Sequence, residues 1–172
     1  MTPCDLTAVD ARRRIGTGEL TSVELVESCL DRINAVDPAV NAMVTRADEQ
    51  ALESAAAADA AVDAGDGLGP LHGLPVAIKD LQPTAGLRTT YGSPSHAEHI
   101  PDADAGIVRR IRDAGGIVVG KTNIPEFSIG ANTVNPLFGA TGNPFAVDRT
   151  CGGSSGGSAV AVATGMAPLA TG

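Results

Sequence analysis

The sequence predicts an α/β protein built on a largely parallel sheet, and three observations carry that prediction. Two short apolar runs that end in polar residues, PVAIKD (75–80) and GIVVGKTN (116–123), flank a helical stretch from Asp104 to Ala114. Strand, helix, strand in that order is the crossover unit of a parallel sheet. Upstream, a capped amphipathic segment and an alanine-rich run predict two long helices. Apolar residues make up 43% of the 172, yet only Tyr91, Phe127, Phe138 and Phe145 are aromatic. The core must therefore be built from Ala, Val, Ile and Leu, with backbones in close approach. A chain of this length can bury roughly 70% of its unfolded surface.

The first confident element follows Thr21 and Ser22. In VELVESCLDRINAVDP, Val23, Val26, Leu30 and Ile33 form a helical stripe, and Glu24 stands three residues after Thr21 as a capping box. This helix is expected to stop near Pro38. A short strand through Ala42, Met43 and Val44 follows, then the alanine-rich helix from Ala47 to Ala64, closed by the Gly65, Gly67, Gly69 and Pro70 loop. Next comes the strand–helix–strand unit, whose functional groups should sit at the carboxyl ends of the strands, where Lys79 and Lys121 fall. The stretch from Pro125 to Arg149 reads as a long ordered loop with one helical turn, and loops of that length are usually functional. A glycine-rich turn then opens a short apolar helix that Gly165 ends, and Ala167 to Ala170 begin another buried strand with no visible neighbour.

Charge and composition exclude several classes of function. A formal charge of -8 and a pI near 4.7 oppose a polyanion partner, and the scarcity of aromatics opposes single-strand nucleic-acid binding. Arg12, Arg13 and Arg14 read as a solvated helix face. Cys4, Cys29 and Cys151 are odd in number and widely spaced, which points away from a disulfide framework or a zinc knuckle and toward reduced, cytoplasmic thiols. The N-terminus lacks an apolar signal core, and no apolar run reaches the roughly 18 residues that cross a bilayer.

Lysine usage is the most informative chemical feature, with two lysines against ten arginines. Arg cannot be deprotonated in a protein, whereas a desolvated Lys can lose its proton. Lys79, after Val76, Ala77 and Ile78, is thus a candidate base; beside this stands the plainer reading of a strand-end lysine pointing into water or paired with Asp80. Lys121 poses the same choice, with the plainer reading favoured. The run Gly152 to Ser158 places hydroxyls and permissive backbone at a helix start, and the apolar helix that follows argues against a flexible linker. Gly153 to Gly157 fits the G-x-S-x-G nucleophile elbow, but no Asp, Glu or His follows Ser155; a P-loop fails because Gly157 is followed by Ser158 and Ala159. His96-Ala97-Glu98-His99 lacks metal-site spacing and reads as an exposed polar loop. Cys151 ranks low as a nucleophile, since no His is near it in sequence.

HGLPVAIKD (72–80), GKTNIPEFSIGANTVNPLFGATGNPF (120–145) and CGGSSGGSAVAVATG (151–165) together resemble the amidase-signature family, collinear from about Val9 to Gly172. The resemblance implies an amidase-signature fold, a mixed, largely parallel sheet with helices on both faces, truncated at the C-terminus. It implies one incomplete domain over 1–172, with 1–64 a mostly helical N-terminal region, 65–73 a loop and 74–172 the start of the catalytic α/β core. The implied activity is hydrolysis of a carboxamide through an acyl-serine intermediate, with a Ser-Ser-Lys relay. Lys79 corresponds to the catalytic lysine and Ser154 to the bridging serine, which follows a cis peptide from Gly153. Ser155 supports that geometry, and Ser128 falls where the family lines its acyl pocket. The nucleophile of that family lies roughly two dozen residues past the bridging serine, with the oxyanion donors; only eighteen residues follow Ser154 here. The chain is therefore expected to be an N-terminal portion, inactive and poorly stable alone. No cofactor or metal is expected. The expected partner is a small-molecule amide, not nucleic acid or a membrane, with a homodimer open to the intact parent. The alternative implied by the same motifs is the A-type subunit of a glutamine-dependent tRNA amidotransferase.

Overall fold

Helix α1 (Ala8–Gly16) starts at Thr7, whose side chain accepts the Asp10 amide, and it follows a 3-10 turn at Pro3–Asp5; these elements belong to a computed structural model that describes residues 2–172. Of the arginine run on α1, Arg12 turns away from solvent and donates to the Gly69 carbonyl at 3.1 and 3.0 Å, so the face is not wholly solvated. Helix α2 (Ser22–Val40) carries the expected capping box between Thr21 and Glu24, and Asp59 also accepts the Ser22 and Val23 amides at 2.6 and 3.1 Å. The helix ends at Val40, two residues past Pro38. In the last turn a proline forfeits only one backbone bond, and the chain is held beyond it: Asn41 adopts left-handed geometry with its amide on the Asp37 carbonyl. The Asp37 carboxylate then accepts the Ala42 and Met43 amides at 2.7 and 3.0 Å.

Strand β1 (Met43–Arg46) begins one residue later than the sequence suggests, because its register is set by pairing rather than by its own residues. Helix α3 (Asp48–Asp63) buries Ala51, Ala55 and Ala58 on one stripe, and these small side chains let it lie close to α2 and the sheet. The crossover follows as expected: β2 (Pro75–Lys79), α4 (Gly106–Asp113) and β3 (Ile117–Thr122), with β2 and β3 parallel.

The Pro125–Arg149 segment departs from a plain loop. After a 3-10 turn at Glu126–Ser128 it forms two small hairpins, β4 (Val134–Asn135) with β5 (Gly139–Ala140), and β6 (Gly142–Asn143) with β7 (Ala146–Thr150). The two-residue strands β4, β5 and β6 are too short for an alternating pattern, and the five residues of β7 are exposed at all but the first, so no buried face marks them. Asn side chains make the turns instead: Asn135 Oδ1 accepts the Leu137 and Phe138 amides, and Asn143 Oδ1 accepts that of Phe145.

Helix α5 (Gly156–Ala163) and β8 (Leu169–Ala170) complete the described chain. The main sheet runs β1-β3-β2-β8, with β1 antiparallel and the other three parallel. The last strand therefore has a neighbour after all: Leu169 and Ala170 pair with Val76 and Ala77. On one face Ala77, Ile117 and Val119 pack with α2, α3 and α5; on the other, Val76, Ile78 and Val118 pack with Val108 and Ile111 of α4. The fold is mixed α/β, largely parallel, with helices on both faces. No helix among the described residues is long and apolar enough to cross a membrane.

Candidate active site

Side chains alternate faces along a strand, so Lys79 at the carboxyl end of β2 points with Ala77 toward α5. Its side chain is 5% exposed, and its Nζ lies 2.9 Å from Ser154 Oγ and 2.8 Å from Ser155 Oγ. Lys79 thus neither faces water nor pairs with Asp80. Burial pushes its amine down from the ordinary 10.5. Both partners are hydroxyls, which accept from an ammonium or donate to a neutral amine. The arrangement can pass a proton in either direction. The Gly153–Ser154 peptide is cis.

The serine turn is held from three sides. Thr133 Oγ1 donates to the Gly152 carbonyl at 2.8 Å and accepts the Gly156 amide at 3.0 Å. The Gly157 amide bonds the Asn123 carbonyl, just past β3. Thr122 and Ser158 join hydroxyls at 2.7 Å, tying α5 to the sheet face that Lys79 occupies. Glycine is required at the start of this helix: a Cβ on Gly157 would stand 2.4 Å from Asn123 N and 2.6 Å from its O, and one on Gly156 would stand 2.2 Å from Thr133 Oγ1.

Asn123 is a hub that the sequence reading passed over. Its side chain accepts from Asn135 Nδ2 at 2.7 Å and donates to Thr141 Oγ1 at 3.0 Å, while Thr141 Oγ1 reaches back to the Asn41 carbonyl at 2.6 Å. One buried amide thus ties the end of α2, the end of β3 and both hairpins behind the serine turn. The recurrence of Asn and Thr within 120–145 was the available signal.

Ser128 is not part of the Lys79 cluster. It stands on the 3-10 turn with φ 58, and its Oγ is shielded from solvent without a hydrogen-bond partner. His96 and His99 lie on an exposed turn, His99 exposed and His96 half-buried. They pack with Tyr91 and Phe127, the His96 ring 5.0 Å from Tyr91 and 5.9 Å from Phe127. Tyr91 hangs by its amide from the Asp80 carbonyl, and the Phe127 amide bonds the Tyr91 carbonyl. This ring cluster lies beyond the same sheet end as Lys79. Cys151 is half-buried, and burial pushes its thiol up, away from the thiolate. Among the described residues no group of three or more His, Cys, Asp or Glu could hold a metal ion.

Lys121 overturns the water-facing reading. It is fully buried, donating from Nζ to the Gln82 carbonyl, to Thr84 Oγ1 at 2.8 Å and to Thr89 Oγ1 at 3.1 Å. Burial pushes it down to about 8, against the attraction of Asp80 and Asp104.

The amidase family profile matches residues 24–172. Over 96% of its length the chain is 49% identical to the A-type subunit of glutamyl-tRNA(Gln) amidotransferase from Acidothermus cellulolyticus and 45% identical to indoleacetamide hydrolase of Bradyrhizobium diazoefficiens, covering 33% and 32% of them. It superposes on a bacterial aryl acylamidase of the amidase-signature enzymes with a TM-score of 0.92 and 32% identity, covering 96% of this chain and 34% of that one. The chain spans about a third of the length of the curated relatives it matches.

Proposed function

The chain belongs to the amidase-signature family, and from that premise we propose that the longer protein it represents hydrolyses a carboxamide to a carboxylate and ammonia or an amine. The observation that carries the reading is the buried Lys79 amine set between two serine hydroxyls with no carboxylate partner. Lys79 and Ser154 are the proposed catalytic residues, Gly153 and Ser155 hold their geometry, and Ser128 is offered as a substrate contact.

In the first half-reaction a serine supplied from sequence beyond Gly172 attacks the carbonyl carbon. Its proton passes to Ser154, whose own proton passes to Lys79. A C–O bond forms; the C–N bond then breaks as the proton returns through Ser154 to the departing nitrogen. Water repeats the sequence on the acyl-serine and releases the acid. The base must begin neutral, so turnover should climb with pH as Lys79 loses its proton below the ordinary 10.5.

The decisive experiment is turnover of amide substrates by the full-length protein carrying Lys79→Ala or Ser154→Ala. Wild-type rates in either variant would overturn the assignment. In this reading the 172 residues form one incomplete domain that holds the relay without its nucleophile, does not turn over amides alone and is poorly stable; a purified chain of these residues that hydrolyses amides or unfolds cooperatively counts against it. Its free cysteines suit the cytoplasm.

A second reading draws on the 49% identity to a component of an amidotransferase. There the amide is that of glutamine, and the ammonia is handed to a partner protein that works on charged tRNA. Glutaminase activity that appears only with partner proteins would favour it, whereas activity of the isolated protein on other carboxamides would favour the first.

A further inference from the structure

The last strand leaves the sheet beside the relay. Strands β2 and β8 run parallel, Val76 paired with Leu169 and Ala77 with Ala170. The Thr171 amide donates to the Ala77 carbonyl at 3.0 Å, so the ladder is intact up to that bond. In a parallel pair the next bond would run from the Lys79 amide to the Thr171 carbonyl. The Lys79 amide donates instead to the Thr171 hydroxyl oxygen, at 2.7 Å. The side chain of Thr171 thus stands in for its own carbonyl, and β8 ends at Ala170. Released from the sheet, the backbone runs to the serine turn: a Cβ on Gly172 would lie 3.6 Å from Ser155 Oγ and 3.8 Å from Ser155 Cβ, ordinary contact distances. The contacts close a circuit. Lys79 holds Thr171 by its amide and Ser155 by its Nζ at 2.8 Å, and Gly172 lies against Ser155.

We propose that Thr171 is a positioning residue for the attacking serine: its hydroxyl ends the β8 ladder one bond early and directs the chain from the sheet to the serine turn, so that the sequence after Gly172 enters beside Ser155 and Lys79. A valine in its place has the same shape and no acceptor. The Lys79 amide then turns to the carbonyl of residue 171, the ladder continues, and the chain is drawn along β2 away from the serines. A reacting group displaced by about 1 Å can lose on the order of 10²-fold in rate. This role rests on the amide-hydrolysis reading above, and its test separates the two.

The experiment uses the full-length protein and an alkyl fluorophosphonate. An activated serine forms an O–P bond to this probe as the P–F bond breaks; fluoride departs and the serine proton passes into the relay. Labelling is located by mass spectrometry at a serine beyond Gly172. Its rate at saturating probe reports attack, and the half-saturating concentration reports binding. Thr171→Val should lower the saturated rate about 10- to 100-fold and leave half-saturation within about twofold. Thr171→Ser keeps the oxygen and should label close to wild type. If Thr171→Val does not fold, Thr171→Cys decides: it has the size of serine but a weakly accepting sulfur, so it should label slowly beside Thr171→Ser, and equal rates overturn the proposal. A valine variant that labels at the wild-type rate, or that loses only stability to urea, also overturns the role given to Thr171. Lys79→Ala in the same assay keeps the premise apart. Slow labelling there upholds the relay whatever Thr171 does, whereas wild-type labelling overturns the relay and with it the purpose assigned to Thr171.

Discussion

The chain's two lysines stand on neighbouring strands, both out of solvent, and differ in what surrounds the nitrogen. Lys79 meets two serine hydroxyls, each able to donate or accept. Lys121 meets a carbonyl and two threonine hydroxyls. Those threonines also bond backbone carbonyls, Thr84 that of Gln82 and Thr89 that of Leu87, so their own hydrogens are committed elsewhere. Lys121 is thus confined to donating, which favours the ammonium against the burial that pushes it down to about 8, whereas Lys79 can exchange a proton with its partners. Burial alone lowers both amines; the chemistry of the partners separates a candidate base from a structural cation.

That contrast can be broken most forcefully by Lys79→Arg in the full-length protein. A guanidinium keeps charge and length but cannot accept a proton, so amide turnover should fall on the order of 10²- to 10⁴-fold, read in a steady-state assay; retained turnover would remove proton transfer from the role of this residue. The next effect is on stability. Lys121→Met takes a donor from two buried threonine hydroxyls and from the Gln82 carbonyl, which keeps Thr84, and should cost about 2 kcal/mol, whereas Lys79→Met leaves two half-buried serines and should cost about 1 kcal/mol or less. Urea unfolding of the pair measures the difference, and equal losses would erase the distinction.

A smaller effect tests the support behind Lys79. Gly157→Ala drives a methyl into the Asn123 backbone, which cannot yield as a flexible side chain does, and should destabilise by about 1–3 kcal/mol in the same measurement. Smallest is Thr122→Val, which leaves the Ser158 hydroxyl without its partner and should cost about 1 kcal/mol. If Thr122→Val proved neutral, this bond would add nothing to the backbone bonds and core packing that hold α5.

Legibility followed the range of the interactions. The capping box at Thr21 and Glu24, the alanine stripe of α3 and the β2–α4–β3 crossover are written in residues within a turn or two of one another, and all can be read directly. The end of α2 could not, because Asp37 carries the chain past Pro38 by bonds to residues that are not yet helical or extended by pattern. The hairpins of 134–150 escaped for a related reason: two-residue strands hold no periodicity, and the longer β7 is exposed along almost its whole length. At the candidate site the motifs at Lys79 and at Ser154 were both visible. The exposed loop at His96–His99 was legible as such; its hidden feature was the ring cluster with Tyr91 of the same loop and Phe127 of the next segment.

The sequence by itself determined which residue types were available: two lysines in an arginine-preferring chain, a serine-rich glycine turn ahead of an apolar helix, and a parallel crossover to carry them. Tertiary structure alone decided which lysine meets which oxygens. Lys79 and Ser154 are 75 positions apart, and the 82–89 segment must fold over the end of β3 before Lys121 has a partner. The bulge in β3, where Val76 pairs with Val118 but Ala77 with Gly120, puts the two amines on opposite faces, but the groups waiting on each face arrive from distant parts of the chain, and their ability to donate or only accept, together with burial, sets which protonation state each nitrogen favours.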